Sequence, residues 1–201
     1  MSPDLRFLAL GDSYTIGEGI AAAERWPNQL ARRLDLRVPE FIARTGWTTD
    51  ELAAAIDAQA LAPSYALITL LIGVNNQYRG RDLANYRAEF SQLLQRAISL
   101  AGGTPQHVLV VSIPDWGVTP FARVSGRDPA QIAREIDAFN AANLQIAESL
   151  RTGYADVTAI SRDRGGDADM LVGDGLHPSA AMYTRWLAAI EPAARAALAA
   201  R

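Results

Sequence analysis

Apolar runs of strand length recur along the chain at Phe7–Leu10, Tyr65–Ile72 and Val108–Ile113, with a weaker one at Tyr154–Ile160. They are nearly continuous rather than alternating, the pattern of strands covered on both faces. Leu36–Ala43 reads as a further strand, where Pro39 demands an edge position or a late start because proline offers a ladder no N–H. Between these runs the period becomes helical. Leu30 and Leu34 follow Trp26-Pro27, a proline suited to a first helical turn. Leu52 and Ile56 follow Thr48-Thr49-Asp50-Glu51, in which Thr48 and Glu51 have the spacing of a capping box. Leu83, Tyr86, Phe90, Leu93 and Ala97 share one face of a helix over about 82–100 that Gly102-Gly103 ends. Asp128-Pro129 opens another helix, with Ile132, Ile136, Phe139, Ile146 and Leu150 in one stripe. Ser179 caps a last helix that Pro192 is expected to kink or break.

Strand and helix alternate about five times, which predicts an α/β fold with a parallel sheet and helices on both faces. Right-handed crossovers make this a three-layer α/β/α sandwich of about five strands. No repeat, linker or shift in composition divides the 201 residues. They are therefore expected to form a single domain large enough to bury its own core.

The polar punctuation carries the chemistry. Asp12-Ser13, Gly46 and Asn75-Asn76 each follow a strand, and Asp174 with His177 precedes the last helix. In a doubly wound sheet such positions meet at one rim. Acyl transfer needs a hydroxyl nucleophile, a base, a group orienting that base, and donors for the developing oxyanion. Ser13 supplies the hydroxyl and His177 the imidazole base. Asp174, three residues before it, can reach the other ring nitrogen and fix the tautomer. The Ser13 and Gly46 backbone N–H groups and the Asn75 side-chain amide are the oxyanion donors. Each short match alone is weak, but all of them in this order arise by chance in roughly one chain in a thousand.

Gly11-Asp12-Ser13-Tyr14, Gly46, Gly73-Val74-Asn75-Asn76 and Asp174-Gly175-Leu176-His177 resemble the four blocks of the SGNH (GDSL) hydrolase superfamily of esterases and lysophospholipases. The resemblance implies a flavodoxin-like topology and a serine hydrolase with no metal and no organic cofactor. It implies that Ser13, Gly46, Asn75 and His177 are the four name-giving residues, with Asp174 completing the triad. It also implies a small-molecule acyl ester as substrate; known members cleave short acyl esters, lysophospholipids, acyl thioesters or carbohydrate O-acetyl groups. Two positions depart from the pattern. Tyr14 replaces the common leucine after the serine, and Asn76 stands where aspartate is usual.

Composition narrows the alternatives. All 19 basic residues are arginine and cysteine is absent, which excludes Schiff-base and P-loop lysines, thiol nucleophiles and cysteine-ligated zinc. A net charge of −3 offers no basic field for nucleic acid. No run has membrane-spanning length, and residues 1–4 lack a basic leader, so a cytoplasmic location is expected unless a leader was removed. Oligomeric state has no signature. Trp47, Tyr78, Trp116 and Phe121 lie just past strand ends and are candidate walls of an acyl pocket, with packing an equal alternative for each. Asp12 is expected to serve the turn and His107 the scaffold. Asp163, Asp167 and Asp169 lack the glycine and closing glutamate of a calcium loop. Gly17-Glu18-Gly19-Ile20-Ala21-Ala22 imitates a dinucleotide fingerprint, but starts too far beyond the strand. An acyltransferase using the same triad and a non-catalytic binding domain stand as rival readings.

Overall fold

The computed structural model describes residues 5–200. Residues 1–4, the segment expected to lack a leader, lie outside them. Five strands build one parallel sheet in the order β2-β1-β3-β4-β5: β1 Phe7–Gly11, β2 Glu40–Ala43, β3 Leu67–Leu71, β4 Val108–Val111 and β5 Gly153–Ala155. β1 and β3 are buried at every residue, as their unbroken apolar runs require. β2 is an edge strand that starts after Pro39, so the late start holds.

The helices are α1 Ser13–Ile16, α2 Trp26–Leu34, α3 Thr49–Asp57, α4 Val74–Tyr78, α5 Leu83–Leu100, α6 Pro120–Val124, α7 Pro129–Leu150, α8 Thr158–Arg164 and α9 Ala180–Ala199. α2 and α9 pack together on one face, while α3, α5 and α7 line the other, giving the three-layer sandwich. α5 buries Tyr86, Phe90, Leu93 and Ala97 of the expected stripe together with Leu94, while Leu83 at its start is only half-buried. α7 buries Ile132, Ile136, Phe139 and Ile146, but Leu150 at its end is only half-buried. No helix among the described residues is long and apolar enough to cross a membrane.

Two expectations change. The run Tyr154–Ile160 is a strand only to Ala155 and then becomes α8. The Asp156 carboxylate accepts from the Thr158 N–H at 2.8 Å and from the Ser112 hydroxyl at 3.0 Å, an Asx turn that overrides the β propensity of Val157 and Ile160. Between β4 and α7, a single turn at Trp116–Val118 and then α6 fold the segment 114–128, capped by Asp115 and Thr119. Pro192 does not break α9, which runs on to Ala199. Ile190 and Ala194, buried on either side of the proline, hold the helix to the sheet despite its missing hydrogen bond.

The winding reverses between β1 and β3, the two central neighbours from which the chain departs to opposite sides. The crevice of such a sheet opens at the carboxyl ends of those strands. Leu70, fully buried on β3 beside Leu10 of β1, lies at the centre of this core. Leu70→Ala is expected to cost about 2–5 kcal/mol of unfolding free energy. Denaturant titration, read as a lower midpoint at unchanged slope, checks it.

Candidate active site

Ser13 opens α1 immediately after β1, in the first turn, where helical N–H groups lack an intrahelical partner. The turn is tight because Gly11 leaves no room for a side chain: a Cβ there would sit 2.2 Å from Thr15 Oγ1 and 2.3 Å from the Leu71 carbonyl oxygen. Asp12 caps α1 by accepting from the Tyr14 N–H at 3.0 Å. Its turn role is thus as expected, but its surroundings are unusual. The carboxyl group is fully buried, Oδ2 has no hydrogen-bond partner among the described residues, and burial pushes its pKa up to about 7, against the downward pull of hydrogen bonds from the Tyr14 and Asp12 backbone.

Asn75 lies in the first turn of α4, just after β3. Gly73, at φ +128°, makes the reversal, and a Cβ there would approach Tyr86 Oη to 2.4 Å and Ile113 Cδ1 to 2.8 Å. Asn75 Nδ2 donates to the Trp47 carbonyl at 2.9 Å, which orients the amide and leaves its second hydrogen uncommitted. Gly46 lies between β2 and α3. Its N–H has no hydrogen-bond partner among the described residues, and its carbonyl accepts from Arg79 Nη2 at 2.6 Å. The capping box of α3 is formed, with Thr48 N–H donating to Glu51 at 2.8 Å.

His177 is 8% exposed and sits in the turn before α9. Its Nδ1 lies 2.5 Å from Asp174 Oδ2, while Asp174 Oδ1 accepts from the His177 N–H at 2.9 Å and the Leu176 N–H at 2.8 Å. Burial alone would raise the Asp174 carboxyl. The hydrogen bonds from the His177 ring and the two backbone groups outweigh it and hold the carboxyl below its ordinary range. With Nδ1–H donating to a carboxylate, Nε2 is the nitrogen left with a free lone pair. The His177 ring packs 5.7 Å from that of Tyr14, beside Ser13.

A cavity of about 200 Å³ joins these elements. Ser13, Gly46, Asn75, His177, Tyr78, Trp116 and Phe121 all line it, so seven of the expected residues converge there. Asp174 stands behind His177. Trp47 is the exception: it packs half-buried against the core and reaches the site through its backbone carbonyl. Trp116 is 2% exposed and packs between Tyr78, edge-on with ring centroids 5.5 Å apart, and Phe121, tilted at 6.0 Å. Sequence reasoning missed Tyr14, Thr45, Val74 and Leu176 as wall residues. Each is the immediate neighbour of Ser13, Gly46, Asn75 or His177, a signal that adjacency alone could have supplied.

A family model described as GDSL-like lipase/acylhydrolase matches residues 9–185. The chain belongs to that family. No curated protein matches the sequence. Among solved structures, that of TesA is 24% identical with TM-score 0.75, covering 96% of this chain and 99% of the other. The psychrotrophic esterase EstA from Pseudoalteromonas sp., in a structure inhibited by monoethylphosphonate, is 18% identical with TM-score 0.72, covering 96% and 97%. An acetylxylan esterase from Geobacillus stearothermophilus is 18% identical with TM-score 0.69, covering 100% and 98%. These likenesses are of fold, and the family match extends through the segments that carry Ser13, Gly46, Asn75, Asp174 and His177 in this family member.

The Asp12 carboxyl has a measurable consequence. The folded protein keeps its proton up to about pH 7, whereas a carboxyl at its ordinary value of 3.8 releases it far earlier. The native state therefore binds more protons than the unfolded chain between these values, and this group's contribution to stability falls as pH rises through that window. Asp12→Asn keeps the cap acceptor and removes the titration. Urea unfolding at pH 5 and pH 8 is expected to show the variant gaining about 2–3 kcal/mol on the parent between the two, and a constant difference would contradict it.

Proposed function

We propose that this chain is a serine carboxylic ester hydrolase, its 201 residues forming one hydrolase domain. The observation that carries the reading is the single cavity that Ser13, Gly46, Asn75 and His177 share, with Asp174 hydrogen-bonded behind the imidazole. These residues come from four separate stretches of chain.

His177 Nε2 takes the proton of Ser13 Oγ as the oxygen attacks the ester carbonyl. Asp174 holds the imidazole by Nδ1 and stabilises the imidazolium formed. The negative charge that develops on the carbonyl oxygen is met by the N–H groups of Ser13 and Gly46 and the free Asn75 amide hydrogen. His177 then protonates the leaving alcohol, giving an acyl-Ser13 ester. In the second half it takes a proton from water, which attacks the acyl carbonyl and releases the acid and free Ser13.

The cavity walls bear on the substrate. Val74, Tyr78, Trp116, Phe121 and Leu176 make it predominantly apolar, a fit for an acyl chain. Its limited volume and the buried Trp116 favour short-to-medium acyl groups. The inhibited neighbour EstA and the acetylxylan esterase are both esterases, which agrees with this substrate class.

Ser13→Ala is expected to lower kcat on p-nitrophenyl esters by several orders of magnitude with the thermal midpoint little changed. Asn75→Ala is expected to lower kcat about 10²–10³-fold with a smaller effect on KM. Steady-state kinetics across acetate, butyrate and octanoate esters check both and rank the acyl lengths. A Ser13→Ala protein that keeps most of its turnover would contradict the assignment.

A further inference from the structure

Asn76, completely buried, forms two hydrogen bonds with one residue: Oδ1 accepts from the Thr49 N–H at 3.1 Å and Nδ2 donates to Thr49 Oγ1 at 2.7 Å. The backbone N–H can only donate, so the amide has one possible orientation. Thr49 Oγ1 already receives a hydrogen from Asn76 and must direct its own elsewhere. It donates to Glu89 Oε2 on α5, whose other oxygen accepts from Asn85 Nδ2 at 2.7 Å. The chain of donors thus runs one way, from Asn76 through Thr49 to a carboxylate.

This chain works with other ties that hold α4 and its following residue to the loop that carries Gly46 and to the start of α3. Arg79 holds the Gly46 carbonyl, Asn75 the Trp47 carbonyl, and Asn76 the Thr49 amide and hydroxyl. Arg79 is itself held 3.4 Å from Glu51, the capping residue of α3. The proposed oxyanion donors Gly46 and Asn75 come from different segments, so their spacing depends on these ties. We propose that Asn76 and Glu89, acting through Thr49, are positioning residues for the oxyanion site, and that their identities are coupled.

The inference rests on the esterase reading above. Coupling follows from donor counting. An aspartate at 76 has no hydrogen to give, so it would take both the N–H and the O–H of Thr49 and strip Glu89 of its donor. It would also place a buried carboxylate close to that of the half-buried Glu89. A glutamine at 89 removes that charge and can donate its amide hydrogen to Thr49 Oγ1, which restores a continuous chain running the other way. Glutamine can equally accept from Thr49 when Asn76 is present.

The test is a double-mutant cycle of the full chain on p-nitrophenyl acetate, with thermal midpoints measured alongside. Glu89→Gln alone is expected to stay within about threefold of the parent. Asn76→Asp is expected to lower kcat about tenfold or more with KM changed less, since an oxyanion donor acts in the transition state. Asn76→Asp combined with Glu89→Gln is expected to recover at least about fivefold of that loss. Parental kcat in Asn76→Asp, or a double variant no better than the product of the singles, overturns the proposal. So does coupling seen in the thermal midpoints but not in kcat, which marks a purely structural role. A parent protein inert toward the ester overturns the esterase reading and this inference with it, whereas an active parent with an additive cycle overturns this inference alone.

Discussion

The geometry of the site depends on how closely the chain can turn at the ends of β1 and β3. At Gly11 the first turn of α1 lies against the backbone of β3, with space for a hydrogen and nothing larger. At Gly73 the same economy applies, with a positive φ added. Neighbouring strands in a parallel sheet stand about 4.8 Å apart. Immediate turns after two such strands bring Ser13 and Asn75 to one rim without intervening loop. A looser turn at either place would lengthen the distance between a hydroxyl and an amide that the proposed chemistry needs within one substrate atom's reach.

Around that fixed pair the other groups are held by directed hydrogen bonds rather than by packing alone. His177 is oriented by Asp174, and the Asp174 carboxyl is in turn held by two backbone N–H groups of the same turn. Gly46 and the start of α3 are tied to α4. The aromatic wall has a similar support: Trp116 Nε1 donates to Gln77 Oε1 at 2.9 Å, Gln77 reaches Glu135 at 2.5 Å, and Arg127 binds Glu135 while its guanidinium lies 5.3 Å from the Trp116 ring. Buried side-chain networks of this kind give an apolar pocket a defined shape because each misplacement leaves a polar atom unsatisfied.

Much of this was legible from the chain alone. Continuous apolar runs announced β1, β3 and β4, and helical stripes announced α5 and α7, because burial on one or both faces leaves a periodic trace. That Ser13, Gly46, Asn75 and His177 would meet, with Asp174 beside His177, was legible because the proposed chemistry calls for particular residue types at strand and helix ends. The rest depended on contacts distant in sequence. The strand ending at Ala155 was set by Ser112, more than forty residues earlier, meeting Asp156. The partner of Asn76 was Thr49 on another element, and that of Thr49 was Glu89 on a third. Trp47 offered an aromatic ring to the eye, yet its useful group is a backbone carbonyl, which every residue has. Pairings of this type carry no local pattern, so only the fold reveals them.

In the proposed mechanism one serine hydroxyl is made nucleophilic by the imidazole beside it. Treating the protein with a fluorophosphonate probe and mapping the adduct by peptide mass spectrometry tests this most directly. A single adduct on Ser13, formed rapidly in the parent and largely abolished by His177→Ala, is the predicted result. An unmodified Ser13, or labelling that proceeds equally well without the imidazole, would contradict it.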